Sequence, residues 1–428
     1  METARPSKIK VEIALGWLTL AAFTFPLFKE YIGLALEQVF TIVLFSACLF
    51  LIATTELRVK RAVTLTLIVM FVFLALTAFS LVVSASYVVT RDVIEIIKPI
   101  YLCCFFLASY LCKWNHPEFE RFLTVLIASF LLIALWGVLE SNVGIINDIS
   151  KILYKDSRGS LNFKAVGPFI VPYVFGSLII LPIWYFLLAT LYHKKKLLNV
   201  LGFAICFAAL LFTQSRTIIL SFVATLIYFV VLTIVCKWLP KRNLVLFTLY
   251  SIVIIVAGLT VVYYQEIKEI FGYTVMGLEV VYNALTSGGL QAVIERQPSV
   301  GLRYEQLMFA VQAQMLFPIV GVGIGKALFM PESFYALYLY RYGLLGILIH
   351  TGLVVAGWYA SIRLARALKH APHSREFAFF LAISAYMASL PVSYFSSSLN
   401  DFTRTGFFFY VLLGLLFVLY RRIILGKL

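Results

Sequence analysis

The sequence predicts an all-α polytopic membrane protein with about twelve transmembrane helices. Three observations support this. Of 428 residues, 62% are hydrophobic and only 13% charged, with a mean hydropathy of +0.97, whereas soluble domains are about half apolar and a quarter charged. Apolar runs of about 20 residues, the length that spans a bilayer, recur along the whole chain. Basic residues cluster in every second connection, as topology requires. No polar stretch is long enough for a separate soluble domain, so 1-428 is read as one transmembrane domain.

The basic "METARPSKIK" precedes an apolar run with no small-residue cleavage site, and further spans follow. It is therefore read as leading into a retained first helix, 11-28, rather than a signal peptide. Spans at 34-55, 62-83, 94-112 and 122-142 follow, separated by short polar or basic connections. Then come 168-191 and 197-213, and 216-236 follows with almost no loop. Span 244-264 leads into a long connection, after which 333-360, 377-395 and 406-424 complete the set. All six cysteines fall within or at the ends of these runs without metal-type spacing, and are read as packing residues.

Orientation follows from Lys and Arg in the short loops. Arg5, Lys8 and Lys10; Arg58, Lys60 and Arg61; Lys113 and Arg121; Lys194 to Lys196; Lys237, Lys241 and Arg242; Arg363, Arg366, Lys369 and Arg375; and Arg421, Arg422 and Lys427 share one side. Both termini are thus expected in the cytoplasm. The connections 143-167 and 265-332, the latter between the ninth and tenth predicted spans, then face outward, where long loops usually have a function. Cytoplasmic loop charge accounts for much of the net +15. Arg158, Lys164, Arg216, Arg296, Arg303, Arg341 and Arg404 lie outward, and an anionic ligand would explain several of them.

Four stretches could carry chemistry. In "LFTQSRTIIL" a polar Thr-Gln-Ser-Arg-Thr joins two spans, so Arg216 is either a snorkelling terminus or part of a lipid-headgroup site. "GLRYEQLMFAVQAQMLFPIVGVGIG" suits an interfacial helix with Arg303 on its first turn and Pro318 ending it. Its alternating glycines allow either a close backbone approach or anion contact. "MPESFYALYLYRYGLLG" places Glu332 at a helix start, where capping or an outward cavity would explain it. Tyr335, Tyr338 and Tyr342 recur beside it, and Arg341 is expected about 13 Å deeper. "KDSRGSLNFKAVGPFIVP" adds Arg158, Asn162 and Lys164 before a Gly167-Pro168 break, a weak signal alone.

With these residues placed, the chain resembles the bacterial O-antigen polymerase and O-antigen ligase superfamily, membrane glycosyltransferases of the C type. "TQSRT" resembles the family's Ser-Arg element, and Arg303 through Pro318 to Gly321, Gly323 and Gly325 its Arg, Pro, Gly-x-Gly region. The Arg158-Gly159 loop is similar to its early loop. The ligase pattern is His, then Asn, Ser or Gln, nine residues, then Gly-x-x-Gly. Glu332-Ser333, nine residues and Gly343 to Gly346 match it with Glu in place of His. His116, His193, His370 and His373 fall in cytoplasmic loops, and His350 is expected about 27 Å along the helix from Glu332. With no histidine expected outside, the polymerase branch is the better match.

The resemblance implies an undecaprenyl-diphosphate-linked oligosaccharide as donor and acceptor, met at the periplasmic face of the inner membrane. It implies Arg216 and Arg303 at the diphosphate, with Arg158, Arg296 and Arg341 behind them, Tyr335 and Tyr338 beside the substrate, and Glu332 as general base. Membrane lipid is an expected partner, a chain-length regulator protein fits as another, and nucleic acid is not expected. There is no Asp-x-Asp and no clustered outward acid spacing, so neither metal nor cofactor is expected. A lipid-linked-oligosaccharide flippase would call for internal repeats and paired interrupted helices, which the sequence does not display.

Overall fold

The computed structural model describes residues 11–26, 28, 35–54, 75, 93–112, 114–154, 164–193, 196–262, 265, 272–296, 298–314, 318–323 and 331–426. Among them the regular structure is helical, with no strand. In chain order the helices are α1 (Val11–Thr24), α2 (Ala35–Thr54), α3 (Val93–Tyr110), α4 (His116–Asn142), α5 (Gly144–Leu153), α6 (Pro172–Tyr192), α7 (Lys196–Phe212), α8 (Arg216–Val235), α9 (Arg242–Val262), α10 (Gly272–Arg296), α11 (Pro298–Gln314), α12 (Phe334–Ala367), α13 (Arg375–Ser393) and α14 (Thr403–Ile423). A short 3-10 turn, Leu399–Asp401, precedes α14. Apart from residue 75, the expected span 62-83 lies outside the described residues. Helices α2, α4, α6, α8, α12, α13 and α14 are long and apolar enough to cross a membrane, and α1, α3 and α7 contain shorter apolar stretches. The chain is a polytopic membrane protein.

Helices α6 and α13 form the centre, with 89% and 78% of their apolar windows buried inside the protein. The sequence of α6 permits this: it is apolar around its whole circumference, so every face can pack against other helices. Pro172 opens it, where a missing N–H costs nothing. Around this centre α7 and α13 pack on α6, α8 and α12 on α13, and α3 on α14. Trp184 of α6 stacks on Phe229 of α8 at 4.0 Å between ring centroids, and its indole N–H donates to Thr225 Oγ1 at 2.8 Å.

Helix α12 differs from the expected straight span 333-360. Gly343 has φ 62° and ψ −159°, a conformation that L side chains avoid, and the chain reverses there. Residues 334–342 fold back on residues 344–367. As a result the Phe334 and His350 rings lie 4.7 Å apart, where one straight helix would separate them by about 24 Å. Residues 344–367 alone extend about 36 Å, enough to cross a bilayer.

Reversal strands helical donors and acceptors, which hydrocarbon cannot satisfy. The turn at Pro318 to Gly323 supplies the partners. Leu344 N–H donates to the Pro318 carbonyl (3.1 Å), Leu345 N–H to that of Ile319 (3.1 Å), and Val322 N–H to that of Tyr340 (2.7 Å). The backbones come close enough that a Cβ on Gly321 would lie 2.5 Å from Gly343 N. Of the two readings of the alternating glycines, close backbone approach is the one observed at Gly321.

The straight-helix separation of Glu332 and Arg341 therefore does not hold. Arg341 is buried beside the turn. Glu332 adjoins Phe334, which lies level with His350, about 9 Å along the second arm from the turn. Nor does Glu332 sit in the first helical turn. Ser333 is the cap, its hydroxyl accepting from Ala336 N–H at 3.3 Å.

Alanine at Gly321 or Gly343 meets backbone rather than a yielding side chain. Each substitution is expected to lower the melting midpoint of the detergent-purified protein by several degrees, on the order of 1–2 kcal/mol from the left-handed φ alone. Gly352→Ala, with open space around it, should leave the midpoint unchanged or slightly raised in the same thermal scan.

Candidate functional site

The polar run "SYFSSSLND" between α13 and α14 organises one end of the bundle. Its Ser396, Ser397 and Ser398 are buried. Local bonds shape it, among them those from Ser396 Oγ to the Ser393 carbonyl (2.7 Å) and from Asp401 N–H to that of Ser398 (2.9 Å). Several separate elements attach to it. Phe334 N–H donates to the Tyr394 carbonyl (3.0 Å), and Ser398 N–H donates to that of Glu332 (3.1 Å). Arg303 Nε donates to the Phe395 carbonyl (3.0 Å) and Nη2 to that of Ser396 (3.4 Å), while Nη1 reaches the Ser299 carbonyl within α11 (2.7 Å). Ser393 Oγ and Ser221 Oγ of α8 are 2.9 Å apart.

These bonds bring Glu332 and Arg303 onto one segment, although nearly thirty residues separate them in sequence. Gln306 reinforces the arrangement. Lying one helical turn beyond Arg303, it is buried and accepts Glu332 N–H through Oε1 at 3.0 Å. The Glu332 side chain is exposed. Arg216 begins α8, about 7.5 Å along the helix from Ser221, and so faces the same end of the bundle. Sequence reasoning missed Gln306 and the whole 393–402 segment. The visible signal was a polar run between two apolar spans.

Around the folded-back arm lies a second, mostly buried layer. Tyr338 is buried, its hydroxyl donating to Asp401 Oδ1 (3.1 Å), and Lys98 Nζ lies 3.9 Å from the same oxygen. His350 Nε2 is 2.9 Å from the Tyr394 hydroxyl and 3.2 Å from Asn400 Nδ2. The expectation that no histidine lies near Glu332 is corrected here, because it assumed a straight helix. His350 nonetheless has no exposed surface and is occupied by two polar neighbours. Tyr335 sits nearer the surface. Its hydroxyl donates to the Pro391 carbonyl (2.8 Å), and its ring lies 4.9 Å from that of the exposed Phe395.

The remaining basic residues divide. Arg404, grouped with the outward cations by sequence, is buried and donates to the Phe23, Phe25 and Pro168 carbonyls, tying α1 to the connection before α6. Arg296 ends α10 exposed to solvent. Arg158 lies outside the described residues. Burial first, then the Arg216 charge, lowers the pKa of Lys164 from the usual amine value.

Among the described residues, one cluster could hold a metal. His116, Glu120 and Glu376 present ligand atoms within 4.8 Å of one another. They occupy the starts of α4 and α13, the opposite end of the bundle from Ser393 to Phe402. Arg375 Nη1, 3.1 Å from Glu120 Oε2, already supplies a cation there.

Arg404→Ala would strip three buried carbonyls of a charged donor. It is expected to cost on the order of 3 kcal/mol, read as a lowered melting midpoint and reduced yield of monodisperse protein. Tyr335→Phe, losing one neutral bond near the surface, should cost about 1 kcal/mol in the same assay.

No curated protein matches this chain. Residues 201–351 match the family model described as O-antigen ligase, a stretch running from α7 through Arg216, Arg303 and Glu332 to just beyond His350. Over those residues the chain is similar to the O-antigen ligase family.

Proposed function

We propose that the protein is an O-antigen polymerase or the polymerase of a related surface polysaccharide, joining undecaprenyl-diphosphate-linked oligosaccharides at the periplasmic face of the inner membrane. The observation that carries this reading is the attachment of Arg303 and Glu332 to the same 393–402 segment, with the Glu332 side chain exposed. A cation and an accessible carboxylate are what this group transfer needs. A hydroxyl of the incoming unit attacks the anomeric carbon of the growing chain and the new C–O bond forms. The bond to diphosphate breaks, and undecaprenyl diphosphate departs with the electron pair.

Because the leaving group is already activated, the protein's task is to orient the hydroxyl and neutralise developing charge. Glu332 takes the hydroxyl proton. Arg216 and Arg303 meet the diphosphate, for which planar guanidinium forks are well suited. Arg303 already spends donors on three carbonyls, so it both holds the segment and presents charge. The Tyr335 and Phe395 rings offer an aromatic face to a sugar. Roles for Arg158, Arg296 and Arg341 are secondary: Arg296 as an outer cation, Arg341 as support for the turn.

A second reading is ligase activity, moving the glycan to a lipid A core or protein. It is favoured by the description of the matched family and by His350 packing against Phe334, next to the Glu-Ser pair. The family match lends no support to the flippase reading.

Deleting the gene and resolving surface polysaccharide on a gel separates the two activities. A polymerase mutant shows a single capped repeat, whereas a ligase mutant loses all attached repeats. With purified protein and lipid-linked repeats, Glu332→Gln should slow extension at least about a hundredfold, and Arg216→Ala or Arg303→Ala should abolish it without loss of folded protein. Extension by Glu332→Gln at the wild-type rate would remove the carboxylate from the mechanism.

A further inference from the structure

The connection 143-167 is expected from sequence to run outside the membrane, yet it begins with a helix that is amphipathic in the opposite sense to a water-soluble surface helix. In α5 the buried side chains are the polar Asn147 and Ser150. Ile145, Ile149 and Ile152, at intervals of four and three residues, share the opposite face and are exposed. Asp148 and Lys151 pair at 3.0 Å along the edge between the two faces. An α5 surrounded by water would thus hide its polar residues and present a row of isoleucines to solvent.

Hydrogen bonds on either side fix its depth. The Trp136 indole N–H donates to Ser150 Oγ (2.9 Å), and Trp136 stands six residues, about 9 Å, before the end of α4. The helix therefore stays against the last turns of that span rather than leaving it. Beyond α5 the Tyr154 hydroxyl donates to the Thr24 carbonyl at the end of α1 (2.7 Å), and Phe28 N–H donates to the Leu153 carbonyl (3.0 Å). Trp136 and Tyr154 meet edge to face at 6.3 Å, each with its polar atom bonded, the kind of pair that the boundary of a bilayer favours. Leu132, one turn before Trp136 on the same face of α4, is exposed within an apolar span, so the lipid-facing surface of that span continues directly into the isoleucine face.

We propose that α5 is an interfacial membrane helix, set in the leaflet at the candidate-site end of the bundle. Ile145, Ile149 and Ile152 lie against lipid acyl chains, and the edge carrying Asp148 and Lys151 faces the headgroups. Acyl chains suit this face better than a protein does. A ten-residue helix is about 15 Å long, too short to supply by itself the roughly 800 Å² per partner of a stable protein contact. Lipid needs no such minimum, and it already covers Leu132 below.

The test uses the full chain in nanodiscs of phosphatidylethanolamine and phosphatidylglycerol. Ile145→Cys, Ile149→Cys, Ile152→Cys and Asp148→Cys are made singly, with the six native cysteines replaced by alanine, and are spin-labelled. Each label is read by collision with oxygen, which concentrates in lipid, and with a water-soluble nickel chelate. The three isoleucine positions should give an oxygen-to-nickel ratio severalfold above that at Asp148. Ratios no higher than at Asp148 would put the face in water and overturn the assignment. Protection from both reagents would mean that protein covers the face, a second copy where spin–spin broadening between chains accompanies it, and would overturn it equally. Ile149→Trp in the otherwise unaltered chain needs no cysteine replacement: brominated acyl chains should quench the fluorescence it adds over the wild type, and a lack of quenching would sink the assignment.

Discussion

The backbone exchange at Gly343 is the constraint on which the candidate site depends. A helix that stops inside an apolar environment must find new partners for its freed N–H and C=O groups. Here the Pro318 to Gly323 turn provides them through three backbone hydrogen bonds. Because the partners are backbone, side-chain identity around the turn matters less than the lack of one at Gly321 and Gly343. Once the chain reverses, residues 334–342 lie against the second arm, and Phe334 reaches both His350 and the Tyr394 carbonyl. Glu332 is then within reach of Ser398 and Gln306. A straight helix would have delivered none of these contacts.

Much of the architecture was legible in the sequence because membrane spans announce themselves by composition. The all-helical fold follows from apolar runs whose length the bilayer sets. The spacing from Glu332 to Gly343 and Gly346 was legible too, as a pattern. Its geometric meaning was not, because a glycine inside an apolar run is compatible with a continuous helix, a kink or a reversal. Choosing among these needs the Pro318 to Gly323 turn, which is close only in the folded chain. The misplacement of His350 and of Arg341 relative to Glu332 both follow from that single ambiguity.

Charge was legible in kind but not in use. Sequence grouped Arg303 and Arg404 as outward cations, and in the structure both donate to main-chain carbonyls. Burial separates them. Arg404 is enclosed between α1 and the connection before α6, where its charge serves carbonyls that have no water. Arg303 is only partly buried.

The same reasoning chooses between the two carboxylates at this end of the bundle. Asp401 accepts the Tyr338 hydroxyl and lies 3.9 Å from Lys98, so its charge already has a donor and a counterion inside the protein. Glu332 makes its bonds to Gln306 and Ser398 through its backbone, and its side chain is exposed. Position is thereby fixed without committing the carboxylate, which is the condition a proton acceptor must meet: held in place by the main chain, with the oxygens left to the substrate.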